Sequence, residues 1–304
     1  MTRLLDPERV ITAIERAFGD RFSDFVIPAR YSVDLPSGIL LLMPCCERPS
    51  HTLGVKVVTV DSGASGGVQA TYLLFSPDTG QIGCVLPANA ITDMRTAATS
   101  AVATKYLASP KAGTLGIFGA GRQAWAHLLI MPRVCSFDRI LICASPNDHS
   151  RKVAQRASEE LSLKVEVVDA DTCAAQSDVV CTCTTAKSPI FDGSRLRPGT
   201  HLNVVGAFRP VDREVDDIAV LRSKVVVDTY EGAFAEAGDL LIPMRNGRID
   251  RAHIIADLHE VVTGKKQVRR SPEDITLFKS VGCALEDFVT AELVKQHVLP
   301  SHSA

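Results

Sequence analysis

The sequence predicts an α/β protein with two parts: a doubly wound, mostly parallel sheet, and an α+β domain assembled from both chain ends. Three observations carry this. The 304 residues exceed the size of most single domains. From Thr114 onward, short apolar runs alternate with helical stretches, the pattern of a parallel sheet covered by helices. The glycine-rich turn Gly119-Ala120-Gly121-Arg122-Gln123-Ala124 follows the first of these runs directly.

Taken in order, residues 5–18 form an amphipathic helix, with Leu5, Val10, Ile11, Ile14 and Phe18 along one face. The runs 39–43, 53–60 and 70–75 are apolar and short. Turn-rich stretches at 61–67 and 77–80 punctuate them, which predicts antiparallel sheet. An Ala- and Thr-rich helix spans 88–107 and stops at Ser109-Pro110. Strands are then expected at 114–118, 139–144, 163–169, 178–184, 201–207 and 224–229, with helices at 122–130 and 150–161 among them. The segment after Asp274 reads as helix returning to the first domain. The expected domains are therefore 1–106 with 276–304, and 107–275.

Composition narrows the function. Hydrophobic residues make up 46% and charged residues 22%, as in ordinary globular chains. The 33 basic and 35 acidic residues give a net charge of -2, and no basic run stands out, so a nucleic-acid partner is not expected. The N-terminus lacks the apolar core of a signal peptide. No stretch approaches the roughly 18 apolar residues of a membrane span. A cytoplasmic location with no membrane partner is expected. The cysteines are nine, an odd number, and neither Cys45-Cys46 nor Cys181/Cys183 has zinc-ligand spacing. They read as small core residues, with no metal site.

The turn at 119–124 is G-x-G-x-x-A between a strand and a helix, the context in which this motif binds dinucleotides and marks a Rossmann-type sheet. Gly119 permits the tight turn, Gly121 lets the backbone approach a pyrophosphate, and Ala124 keeps helix and strand close. The phosphates would meet the helix N-terminus, flanked by Arg122 and Gln123. An acid that binds the ribose 2′-OH normally ends the second strand. That point here is Cys143-Ala144-Ser145; Asp138 comes too early and Asp148 too late. Ser145 suits a 2′-phosphate, with Arg151 or Lys152 near it in sequence. The cofactor is expected to be NADP(H) or NAD(H), with NADP(H) favoured. Thr184 ends the fourth strand, where the ligand crevice of such sheets lies.

Several further stretches are Pro28-Ala29-Arg30, Met43-Pro44, Gly54-Val55-Lys56-Val57-Val58, Arg95-Thr96-Ala97-Ala98, Gly206-Ala207-Phe208-Arg209-Pro210 and Leu277-Phe278-Lys279-Ser280-Val281-Gly282. In this order, with the glycine loop, they resemble the ornithine cyclodeaminase/mu-crystallin family over nearly the whole chain. The resemblance implies a Rossmann domain plus a substrate domain that dimerises through its sheet, and a small amino or imino acid as substrate. It implies that Arg30 and Lys56 contact the substrate and carry catalysis. Arg suits a carboxylate through its planar fork. A desolvated Lys beside an imine nitrogen suits an acid. On pattern alone Lys56, mid-strand between Val55 and Val57, reads equally as a solvent-facing residue. The resemblance further places Arg95 between cofactor phosphates and substrate, with Thr96 beside it, and Thr71 and Ser280 near the nicotinamide. Ser280 alone reads equally as a helix N-cap.

Family members that cyclodeaminate ornithine carry an aspartate at the position of Phe208. A phenyl ring transfers no proton and holds no ammonium, but it offers an apolar wall to a compact ring. The expected activity is therefore NAD(P)H-dependent reduction of cyclic imino acids of the pyrroline- or piperideine-2-carboxylate type. Ornithine cyclodeamination, alanine dehydrogenation and a non-catalytic crystallin-like role remain alternatives. Asp212 and Glu214 are near enough in sequence for one of them to turn inward and replace the missing acid.

Overall fold

The computed structural model of the chain describes residues 5–61, 67–144 and 147–298. It separates into two compact units, residues up to 99 with those from 283 onward, and residues 100–282. The boundaries differ from the expected 106/107 and 275/276 for two reasons. The helix Asn89–Leu107 runs through the first boundary, so Pro110 marks the end of a helix and not of a unit. The segment after Asp274 is not helical at first; Ile275–Lys279 is a strand of the second unit. ITLFK is a five-residue run buried throughout, and so short an apolar run has no period that separates strand from helix.

The first unit contains β1 (Phe25–Val26), β2 (Tyr31–Leu35), β3 (Gly38–Glu47), β4 (Thr52–Asp61), β5 (Val68–Phe75) and β6 (Ile82–Pro87). Their order is β1-β3-β4-β5-β6, with β2 also paired to β3, and every pairing is antiparallel. Strands β1, β2 and β6 had no sequence expectation. Alternation along the strands sorts the two faces. Met43, Lys56, Tyr72 and Leu86 stand abreast on one face. The C-terminal helix Ala284–Val298 packs over β3 and β4, and the helix Pro7–Phe18 packs on it in turn. Asp6 caps that first helix by accepting from Glu8 N and Arg9 N, while Val10, Ile11, Ile14, Ala17 and Phe18 are buried. The other face carries Leu40, Leu42, Val55, Val57 and Leu73, half-covered, and Val33 and Val85, which are 50% and 59% exposed.

The second unit is an eight-stranded sheet of β7 (Thr114–Phe118), β8 (Arg139–Cys143), β9 (Val165–Val167), β10 (Val179–Thr182), β11 (His201–Val204), β12 (Ser223–Val227), β13 (Ile254–Asp257) and β14 (Ile275–Lys279). The order is β13-β12-β14-β11-β10-β7-β8-β9, and all pairings are parallel. The six expected strands are present, several of them shorter than expected; β13 and β14 were not foreseen. From β7 the chain builds outward through β8 and β9, then returns to place β10 on the other side of β7. That reversal makes the carboxyl ends of β7 and β10 the topological switch point, where such sheets bind ligands. The core on one sheet face is dominated by Leu, Ile and Val, with Leu141, Val180, Leu202, Leu277 and Val225 abreast across the strands.

Candidate active site

The glycine loop lies at the switch point. Gly119 has φ +110°, and a Cβ there would fall 2.5 Å from Cys183 O, so glycine is required twice over. Its N–H donates to Cys143 O at 2.7 Å, which holds the turn between β7 and β8. Gly121 is the N-cap of the helix Arg122–Ile130 and makes no side-chain cap. A Cβ on Gly121 would meet nothing within 4 Å. Open space before a helix N-terminus without a side-chain cap fits a pyrophosphate. Ala124 is fully buried, as close helix–sheet packing needs. Arg122 is exposed and Gln123 half-buried at the mouth of this space. Ser145 lies outside the described residues. Ala144, just before it, is half-buried, and Arg151 is ion-paired to Asp148 at 2.7 Å on the helix surface.

The neighbouring strand ends are knitted by one carboxylate. Glu214 is fully buried. It accepts from Thr182 Oγ1 at 2.7 Å, Thr184 N at 2.8 Å, Thr184 Oγ1 at 2.7 Å, Gly206 N at 2.7 Å and Ala207 N at 3.3 Å. Burial and Asp239 push its pKa up against the pull of Lys279 and these donors. Asp239 Oδ1 accepts from Glu214 N and Val215 N at 2.7 and 3.0 Å. Lys279, fully buried, bridges Asp239 at 2.8 Å and donates to Ala207 O at 2.5 Å. Glu214 does turn inward, then, but both its oxygens already serve the loops that follow β10 and β11. It is a scaffold for Thr184 and for Gly206-Ala207, not a substitute for the missing acid. Phe208, next on that loop, packs half-buried against the core, and Asp212 is half-buried beyond it. Ser280 donates to Asp228 Oδ2 at 2.9 Å, and the same oxygen accepts from Val281 N and Gly282 N. Its hydroxyl therefore shapes the turn after β14, and it is not the N-cap of the helix that begins at Ala284.

In the first unit, Lys56 does not face solvent. It is 1% exposed, with Nζ 2.6 Å from Asp287 Oδ2. Arg95 pairs with Asp287 Oδ1 through Nε at 3.0 Å and with Glu286 Oε2 at 2.6 Å. Burial, with Arg95 beside it, lowers the Lys56 pKa to about 8 against the opposing pull of Asp287 and Glu286. Arg95 is thus committed to two carboxylates of the C-terminal helix. Thr96 is buried one residue on. Arg30 is half-buried and immediately precedes Tyr31, which pairs with Leu42 beside Met43, the cross-strand partner of Lys56. Thr71 is exposed and pairs with Val57, on the sheet face opposite Lys56, so the strand does not bring these two together.

Glu286, Asp287 and Asp239 escaped the sequence reading; Glu214 was expected only as a replacement acid, and Lys279 only as part of the Leu277–Gly282 stretch. Their signal was a charged residue inside an apolar run: Glu-Asp in CALEDFV and Lys in TLFKS.

A parallel sheet with this loop at its switch point defines a dinucleotide-binding α/β protein. The chain belongs to the ornithine cyclodeaminase/mu-crystallin family, whose profile matches residues 3–302. It is 38% identical to ketimine reductase mu-crystallin of Rattus norvegicus over 261 residues, 84% of this chain and 80% of that protein. Its fold is similar to that of Thermococcus litoralis Delta(1)-pyrroline-2-carboxylate reductase in complex with NADH and L-proline. The TM-score is 0.93 at 38% identity, covering 96% of this chain and 93% of that one. An archaeal alanine dehydrogenase dimer with bound NAD is similar at TM-score 0.90 and 28% identity, covering 97% and 92%.

Proposed function

We propose that this chain is an NAD(P)H-dependent reductase of cyclic imino acids, of the pyrroline- or piperideine-2-carboxylate type. The observation that carries this reading over cyclodeamination is Glu214. The fully buried acids beside the Phe208 loop are both committed, Glu214 to five hydrogen bonds and Asp239 to Lys279 and two backbone amides, so neither replaces the missing acid, and Phe208 itself offers only an apolar ring. The relatives named as ketimine and pyrroline-2-carboxylate reductases support it.

In this reading the dinucleotide is held by Gly119, Gly121, Arg122, Gln123 and Thr184, and when bound it supplies the hydride that adds to the imine carbon. NADPH is favoured because Cys143 and Ala144 place no carboxylate at the end of β8 to repel a 2′-phosphate. Arg30 anchors the substrate carboxylate. Lys56 Nζ gives a proton to the ring nitrogen, so that hydride and proton together turn C=N into CH–NH. Phe208 walls the ring. The half-covered sheet face bearing Val33, Val57 and Val85 is the contact with a second copy, because an apolar face of this extent is unusual on a monomer. Among the described residues no helix is long and apolar enough to cross a membrane.

The test is direct. Purified protein should oxidise NADPH with pyrroline-2-carboxylate and release little ammonia from ornithine with NAD. Strong ornithine-dependent ammonia release would overturn the reading.

A further inference from the structure

The C-terminal helix delivers two adjacent acids from its first turn into the interior of the first unit. Glu286 and Asp287 side chains are both 0% exposed. Glu286 Oε1 accepts from Cys283 N at 3.2 Å, which ties the acid pair to the start of its own helix. The two carboxylates do different things. Glu286 pairs with Arg95, whereas Asp287 bridges Arg95 through Oδ1 and Lys56 through Oδ2. Without Asp287, Lys56 would lie buried beside the cation Arg95, with Glu286 still opposing the loss of its proton. Among the described residues the other titratable groups against this cluster are Tyr72 on β5, Cys45 on β3, Cys283 just before the helix and Glu292 further along it. Burial raises the pKa of both Tyr72 and Cys45, which keeps them neutral. The Tyr72 hydroxyl makes no hydrogen bond and lies against Gly54, two residues before Lys56 on β4.

We propose that Asp287 is a positioning residue for the reduction: it aims the Lys56 ammonium and keeps it protonated near neutral pH, while Arg95 holds Asp287 in place. This rests on Lys56 being the proton donor proposed above. Burial and Arg95 act to discharge Lys56, and Asp287 is the larger of the two carboxylate contributions that oppose them. A lysine in this balance loses its proton at lower pH as soon as that carboxylate is neutralised.

The experiment compares the pH dependence of kcat/KM with a cyclic ketimine carboxylate in wild type, Asp287→Asn, Asp287→Glu and Lys56→Met. Asp287→Asn should move the basic limb down by at least one pH unit and lower kcat at pH 7.5 about tenfold or more. NADPH affinity, read by fluorescence titration, should stay within about twofold of wild type. Asp287→Glu should keep the limb close to its wild-type position; if Asp287→Asn does not fold, Asp287→Ser carries the test, with the same downward move expected and an unmoved limb overturning the role. A basic limb unmoved in Asp287→Asn, with activity lost equally at every pH, would overturn the positioning role. Lys56→Met separates the two claims. Near-complete loss of activity with an unmoved limb in Asp287→Asn rejects only the role of Asp287. Full activity in Lys56→Met rejects the proton donor, and Asp287 with it.

Discussion

Glu214 accepts hydrogen bonds from both the amide and the hydroxyl of Thr184, at 2.8 and 2.7 Å. The two residues are thirty positions apart in the chain. One acid thereby fixes the end of β10, and through Gly206 and Ala207 the loop after β11 as well. Replacing Glu214 by Gln keeps the size but turns an N–H₂ towards donors that already need an acceptor. Buried donors left without partners are destabilising by about 1–3 kcal/mol each. Glu214→Gln should therefore melt several degrees below wild type and bind NADPH more weakly. A wild-type melting temperature would contradict the scaffold role.

The two loop glycines should separate in their effects. Gly121→Val meets open space in the chain itself, so stability should stay within about 0.5 kcal/mol of wild type. The added side chain would occupy the pyrophosphate position, and NADPH affinity should drop at least tenfold, about 1.4 kcal/mol. Gly119→Ala would strain a positive φ and drive its Cβ against Cys183 O, so it should lower both stability and affinity. Equal thermal losses in both variants would argue against this reading of Gly121.

Cofactor preference should turn on Ala144. Ala144→Asp restores an acid at the end of β8, near the ribose 2′ position, where it attracts a hydroxyl and repels a phosphate. The ratio of NADPH to NADH affinity should fall about tenfold or more, or roughly 1.4 kcal/mol. Titration of both cofactors against both proteins measures it. A wild type that prefers NADH tenfold would count against the NADPH assignment from the start.

The rate should fall as pH rises through about 8. The sign follows from the role: a proton donor works only while protonated, and Lys56 is depressed from an ordinary lysine value by burial and by Arg95. Above that pH, kcat/KM should decline about tenfold per unit. A rate flat to pH 10 would mean that another group gives the proton.

The sheet face of the first unit should hold two copies together. Val33 lies on β2 and is 50% exposed in the single chain. Val33→Asp puts a charge into that apolar surface, where burial without a partner is strongly unfavourable. Light scattering should show a dimer for wild type and a monomer for the variant. A monomeric wild type would remove the proposed interface.

The dinucleotide loop was legible in the sequence because its chemistry is local. Gly119, Gly121 and Ala124 act through the backbone of one turn, and six contiguous residues state the whole requirement. The six strands from Thr114 to Val227 were legible because each is a short apolar run bounded by turn residues. Lys56 could be singled out but not oriented: alternation says only that it faces away from Val55 and Val57, and either face of an antiparallel sheet can be wet. The C-terminal helix decided the matter by bringing Asp287 onto it from 231 positions along the chain. Thr71 fell on the other face once the β4–β5 register was set. Ile275–Lys279 needed β11 and β12 on either side before a short apolar run became a central strand. Asp239 and Lys279 look like surface charges in one dimension, and Glu214 like an acid that could turn towards the substrate. They are buried because each satisfies backbone groups or an opposite charge on another loop, and those partners exist only when the parallel sheet has gathered the loop ends at one edge.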